Sequence, residues 1–164
     1  MGRKKSMIQD TTREGEQLGE QAKETGTEIK EKGEEICSVI DSINTDMDED
    51  DVEGVETAKS GYQGDFSEAF DTQAQEVADQ AVEKETDAVD MATEEREKVD
   101  DAADKMRRAE GISDIGQRNA EAAAERFERS SEEYSDSISE AESIIEELNE
   151  KMDELKGSVD STFA

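Results

Sequence analysis

Apolar and small residues recur along this chain at the alternating four- and three-residue intervals of a helical seam. Over the first stretch they fall at Leu18, Ala22, Thr25, Ile29, Gly33, Ile36, Ile40 and Ile43, spaced 4, 3, 4, 4, 3, 4 and 3. The additional four is a stutter in a heptad pattern, and the run predicts a helix over 16–43. Glycines at 15, 19, 26 and 33 weaken its first half, each by roughly 1 kcal/mol against Ala. Residues 1–15 are therefore expected to fray.

A short stripe of Val52, Val55, Ala58 and Tyr62 predicts a helical piece over 52–60. It leads into S-G-Y-Q-G-D-F-S-E-A-F, Ser60–Phe70, where Gly61 and Gly64 interrupt a helix-favouring sequence. Tyr62, Phe66 and Phe70 supply three of the chain's six aromatic residues there, enough area to pin one side of a turn onto the other. The stretch predicts the turn of a helical hairpin. A second helix, over 65–110, should follow with its seam at Phe70, Ala74, Val77, Ala81, Ala88, Ala92, Val99, Ala102 and Met106. Alanine dominates this seam, so a partner must approach closely and each contact buries little apolar area. A neighbouring chain is one way to complete it.

The segment E-G-I-S-D-I-G, 110–116, predicts a second break, with Gly111 suited to a C-cap and Ser113 or Asp114 to an N-cap. The last helix, over 117–160, has the cleanest pattern. Ala120, Ala123, Phe127, Tyr134, Ile138, Ala141, Ile145, Leu148, Met152, Leu155 and Val159 share one stripe, spaced by fours and threes from Tyr134 onward. Phe127, Tyr134, Ile138, Ile145, Leu148, Met152 and Leu155 form the seam expected to face a partner. The fold class expected is all-α: an elongated antiparallel helical hairpin or three-helix coiled-coil rod, with 16–164 as one module.

Composition sharpens this picture. The 164 residues are 31% hydrophobic and 41% charged, with no Trp, no Pro and a formal net charge of −29. Such values approach those of disordered chains, but Ala, Glu, Gln, Met and Lys favour helix, and a narrow seam needs little apolar content. A thick core is ruled out. The charge opposes contact with DNA, RNA or anionic lipid, and it suits either a high-salt interior or a solvated helix face. Arg107, Arg108, Arg118, Arg126 and Arg129 gather around the second break, the least acidic part of the chain and a candidate docking patch.

Candidate chemistry is sparse. There is no His, and the single Cys37 lies in the apolar run I-C-S-V-I, so common zinc and haem sites and an internal disulfide are excluded. Cys37 reads as a small buried hydrophobe. Asp46, Asp48 and Asp50 alternate as in a calcium loop, but Asp51 and Thr57 stand where an EF-hand needs Gly and Glu. The segment 44–54 reads instead as a helix stop and restart capped by Asn44 or Thr45. The opening M-G-R-K-K-S fits the myristoylation pattern. No apolar run is long enough for a secretory signal or a membrane span. No phosphate loop or dinucleotide fingerprint occurs, and no catalytic constellation is visible. The chain is expected to be non-enzymatic, without cofactor or metal.

The stretch Y-Q-G-D-F-S-E-A-F resembles the hairpin turn of the Trp-x-Gly superfamily of type VII secretion substrates. In that resemblance Tyr62 takes the tryptophan position and Gly64 the glycine, while Phe66, Ala69 and Phe70 match the stapling residues that follow. It implies a cytoplasmic bacterial protein that pairs with another helical chain, a toxin or a similar small chain, and is exported with it without a cleaved signal peptide, or escorts it as a chaperone. Tyr replaces Trp, a third helix follows, and the Y-x-x-x-D/E export signal is not met, because Phe66 follows Tyr62 and Ile138 follows Tyr134 at that spacing. Stretches such as G-E-Q-L-G-E-Q-A-K-E-T-G also resemble late-embryogenesis-abundant desiccation proteins, which implies a solvating protein with little fixed structure. An acidic charge mimic, an adaptor coiled coil and self-association are the remaining readings.

Overall fold

A computed structural model describes residues 2–43, 49–109 and 112–164, with the side chains of 49–51 left aside. Helix α1 spans Gly2–Ile43 and α2 spans Glu49–Ala69. A π-helical segment, Phe70–Gln75, leads without a break into α3, Glu76–Arg107, and α4 spans Asp114–Thr162. No strand occurs among the described residues. The fold is all-α, as the seam patterns predict.

Two boundaries differ from expectation. Residues 2–15 are helical rather than frayed, because Ile8 and Thr12 are buried and tie that segment down. More consequentially, no turn occurs at 60–64: α2 runs straight through Gly61, Tyr62 and Gly64. A Cβ added at either glycine would meet nothing within 4 Å. The glycines lower helix propensity there, but the packing of Phe66 and Phe70 just beyond them outweighs a cost of about 2 kcal/mol. The break between α1 and α2, with the acidic calcium-like positions and caps expected there, lies at 44–48, outside the described residues.

The second break falls where expected. Gly111 is outside the described residues, and Ser113 is the N-cap of α4, its Oγ accepting the Gly116 N–H at 3.2 Å.

The π-helical segment has a cause in the seam. Phe66, Phe70, Ala74 and Ala78 follow one another at intervals of four, where a heptad would insert a three. The surplus residue is absorbed by one wider turn, which keeps Phe70 and Ala74 fully inside.

The chain forms two compact units. The first comprises residues up to Gly15 with Glu83–Ile145. Its core is Ile8, Ala92, Val99, Tyr134 and Ile138, with Val89, Met91 and Phe127 packed against it. Lys5 reaches Glu133 at 2.8 Å and Lys84 reaches Glu14 at 3.3 Å, so α1 meets both α4 and α3. Arg107 pairs with Glu128 across the α3–α4 turn. Glu85 is fully buried on the seam of α3, and Gly15 makes room for it: a Cβ there would lie 2.9 Å from Glu85 Cδ.

The second unit comprises Glu16–Val82 and Glu146–Ala164. Its core joins Ala22 and Ile29 of α1, Phe70 and Ala74 of the π-helical segment, Ala78 and Ala81 of α3, and Leu148, Met152, Leu155 and Val159 of α4. Within it α1 and α2 run antiparallel, and α4 runs parallel to α1. The pairings that fix this are Gly26 with Ala74, Gly33 with Phe66, and Gly26 and Gly33 with Leu155 and Phe163. Gly26 and Gly33 prove to be core positions. A Cβ at Gly26 would approach Leu155 Cδ1 to 3.0 Å and Phe70 Cε2 to 3.1 Å, and one at Gly33 would approach Phe163 Cε2 to 3.1 Å. The register of α1 thus includes its glycines, which let large side chains of the other helices fill the axis of the unit.

Candidate interaction surface

The seam of α4 faces inward. Tyr134, Ile138, Leu148, Met152 and Leu155 are buried, and Phe127 and Ile145 are half-buried. They were expected to face a partner chain, but α1 and α3 of the same chain occupy them in one unit, and α1, the π-helical segment and the start of α3 in the other. The alanine-rich face of α3 explains this: its small side chains allow the close approach that a thin internal core needs. Val77 and Ala102 give way to Ala78 and Ala103 as the buried positions, and Met106 and Ile43 lie exposed.

The turn-motif residues divide. Phe66 and Phe70 pack as anchors: the Phe66 ring stacks on Phe163 at 5.3 Å between centroids, and Phe70 is fully enclosed. Tyr62 is 40% exposed and Gly64 stands clear of other groups, so neither takes part in a hairpin staple. Polar contacts then fasten this part of α2 to α4. Gln63 Nε2 donates to the Asp160 carbonyl at 3.2 Å, and Ser67 Oγ donates to Asp160 Oδ1 at 2.5 Å. The Cys37 thiol is buried and donates to the Thr162 carbonyl at 3.3 Å. Burial pushes its pKa up, and the nearby Lys59 opposes that only in part. It is poorly placed to act as a nucleophile. Tyr134 is likewise raised, first by burial and then by the charge of Glu95.

Among the described residues, no cluster of three or more His, Cys, Asp or Glu side chains is arranged to hold a metal ion. No described helix is long and apolar enough to cross a membrane.

The chemistry that remains lies on the surface. In the second unit Val39, Ile43, Val52 and Tyr62 are large apolar side chains open to water. Lys59 Nζ meets Asp41 Oδ1 at 3.1 Å, which sets this part of α1 beside α2. Glu34, Glu35, Asp41, Glu53 and Glu56 are exposed around them. In the first unit Met106, Ile112 and Ile115 are exposed at the α3–α4 turn, with Ile115 at 72%. Here the flanking charge is mixed: Lys105, Arg107, Arg108 and Arg118 stand with the exposed Asp104 and Asp114, and Arg107 is paired with Glu128. The arginine cluster is visible in sequence, but the apolar residues beside it are not: Ile112 lies in the short connection and Ile115 in the first turn of α4, outside the seam periodicity.

No protein-family model, curated protein or solved structure matches this chain.

Proposed function

We propose that this chain is a non-enzymatic helical interaction module that binds another protein through exposed helix surfaces. The observation that carries this reading is the placement of its apolar residues. The long seam is used up within the chain, while large apolar side chains on both units stay in water. Keeping such residues exposed has a cost in solubility that a binding role offsets.

The Trp-x-Gly resemblance narrows the reading to an escort or co-exported partner in type VII secretion. That narrower role rests on sequence likeness, because the Tyr62–Gly64 stretch lies within a helix instead of forming the family's turn. The buried cores of both units favour fixed helices over the solvating, desiccation-type alternative.

The test is a pull-down of the tagged chain from its native lysate at moderate and at high salt, repeated with Ile115→Asp and Val39→Lys. Near-stoichiometric recovery of a helical protein, lost with one of the two substitutions, is the expected result. A toxin or exporter component among the captured chains would establish the narrower role. Capture of basic proteins alone, lost as salt rises and indifferent to either substitution, would replace the reading with charge mimicry.

A further inference from the structure

The geometry points to Glu85 as a proton-binding site: folding of the first unit takes up one proton from solvent onto its carboxyl, at a pH where exposed glutamates are ionised. This goes beyond the interaction-module reading and does not depend on it.

Burial carries the inference. Among the described residues Glu85 is the one charged side chain that is buried, at 0% exposure, in a chain of 48 acidic residues. It stands at seam spacing between Ala81 and Ala88, both buried. Helix α1 closes over it with Gly15, where a Cβ would lie 2.9 Å from Glu85 Cδ. The missing side chain at 15 leaves the room that the carboxyl fills. An ionised carboxylate held there loses its hydration, a cost that a carboxyl avoids by keeping its proton.

The charge nearby acts mainly in the same direction. Beside Gly15, α1 carries Arg13, Glu14 and Glu16, all exposed. Beside Glu85, α3 carries exposed Glu83 and Asp87 and half-buried Lys84. Over 130–145, α4 carries five acidic residues and no basic one. Arg13 and Lys84 favour the ionised form, but Asp10 engages Arg13 at 3.8 Å and Glu14 engages Lys84 at 3.3 Å. The surrounding acids favour the protonated form.

Burial therefore raises the folded-state pKa of Glu85 above the ordinary glutamate value of about 4.3. Its contribution to stability is complete below that value and is lost as pH rises through the folded one. Between the two, the unfolding constant rises by about tenfold per pH unit. The first unit holds more tightly in mild acid than at neutral pH.

Carbon-13 NMR of the full chain, labelled at the glutamate carboxyls and assigned through the backbone, reads the site directly. The Glu85 resonance should still stand at its protonated position at about pH 6, more than a unit above the ordinary value. An ionised position there would overturn the proposal. Denaturant unfolding gives a second readout. Glu85→Gln removes the titrating proton and keeps the shape, so the parent's unfolding constant should grow relative to the variant's by up to about tenfold per pH unit above pH 5. A constant ratio between about pH 5 and 8 would overturn the proposal. So would an equal effect from Glu142→Gln at an exposed site, which would assign the slope to overall charge. The NMR readout needs no variant and stands whether or not Glu85→Gln folds.

Discussion

Replacing Gly61 and Gly64 by Ala separates a helix interior from a turn by the sign of one number. Both positions lie inside α2, and an added Cβ meets no atom within 4 Å at either. No packing penalty offsets the gain in helix propensity, which is about 1 kcal/mol per Gly→Ala change. The double variant should gain about 2 kcal/mol, or roughly 4–8 °C in Tm for a chain of this size. The control pair is Gly26→Ala and Gly33→Ala. There the new methyl would stand 3.0–3.1 Å from Leu155, Phe70 and Phe163. Overpacking of that kind costs about 1–3 kcal/mol per site, so each change should range from neutral to about 2 kcal/mol destabilising after the propensity gain is subtracted. Thermal unfolding followed by circular dichroism at 222 nm reads both pairs. Loss of stability in the Gly61/Gly64 variant would restore a turn at that position. An equal gain from both pairs would refute the close packing along α1.

Other substitutions probe separate parts of the account. Leu148→Ala empties a buried site in the second unit and should cost about 2–5 kcal/mol in denaturant unfolding. Ser113→Ala removes the acceptor for the Gly116 N–H and should cost about 1 kcal/mol, with a Gly replacement nearly neutral. Cys37 and Tyr134 both have folded-state pKa values raised by burial. Their contributions to stability are therefore complete below the unfolded-state pKa values and are lost as pH rises through the folded ones. Unfolding free energy should fall on the alkaline side of pH 9, and Tyr134→Phe should make that fall shallower. An unchanged alkaline limb in Tyr134→Phe would remove the tyrosine from this explanation.

The helical class and the stripe of α4 were legible because fours and threes recur there over many turns with apolar residues large enough to stand out. Ser113 was legible because capping depends on local side-chain chemistry. The α1 register was harder to see. Its buried positions include Gly15, Gly19, Gly26 and Gly33, which look like weak points in sequence and act as contact points once Glu85, Leu148, Leu155 and Phe163 lie against them. The apparent hairpin at 60–64 comes from reading two low-propensity glycines and the aromatics beside them as a turn. Tertiary packing of Phe66 and Phe70 carries the helix through them. Glu85 stands between Ala81 and Ala88 at seam spacing and is buried there, although a charged residue type gives no sign of it in sequence. Whether a seam meets its own chain or another's is a property of how the helices pair, and periodicity alone is the same in both cases.

The central claim is that one chain satisfies its own seam. The direct test is the dependence of Tm on protein concentration, from about 0.1 to about 10 µM at constant salt. A seam closed within the chain predicts a constant Tm and full helicity at the lowest concentration, because no second molecule enters the folding equilibrium. A Tm that climbs with concentration, with helicity lost on dilution, would show that the seam is completed by another chain and would contradict the account.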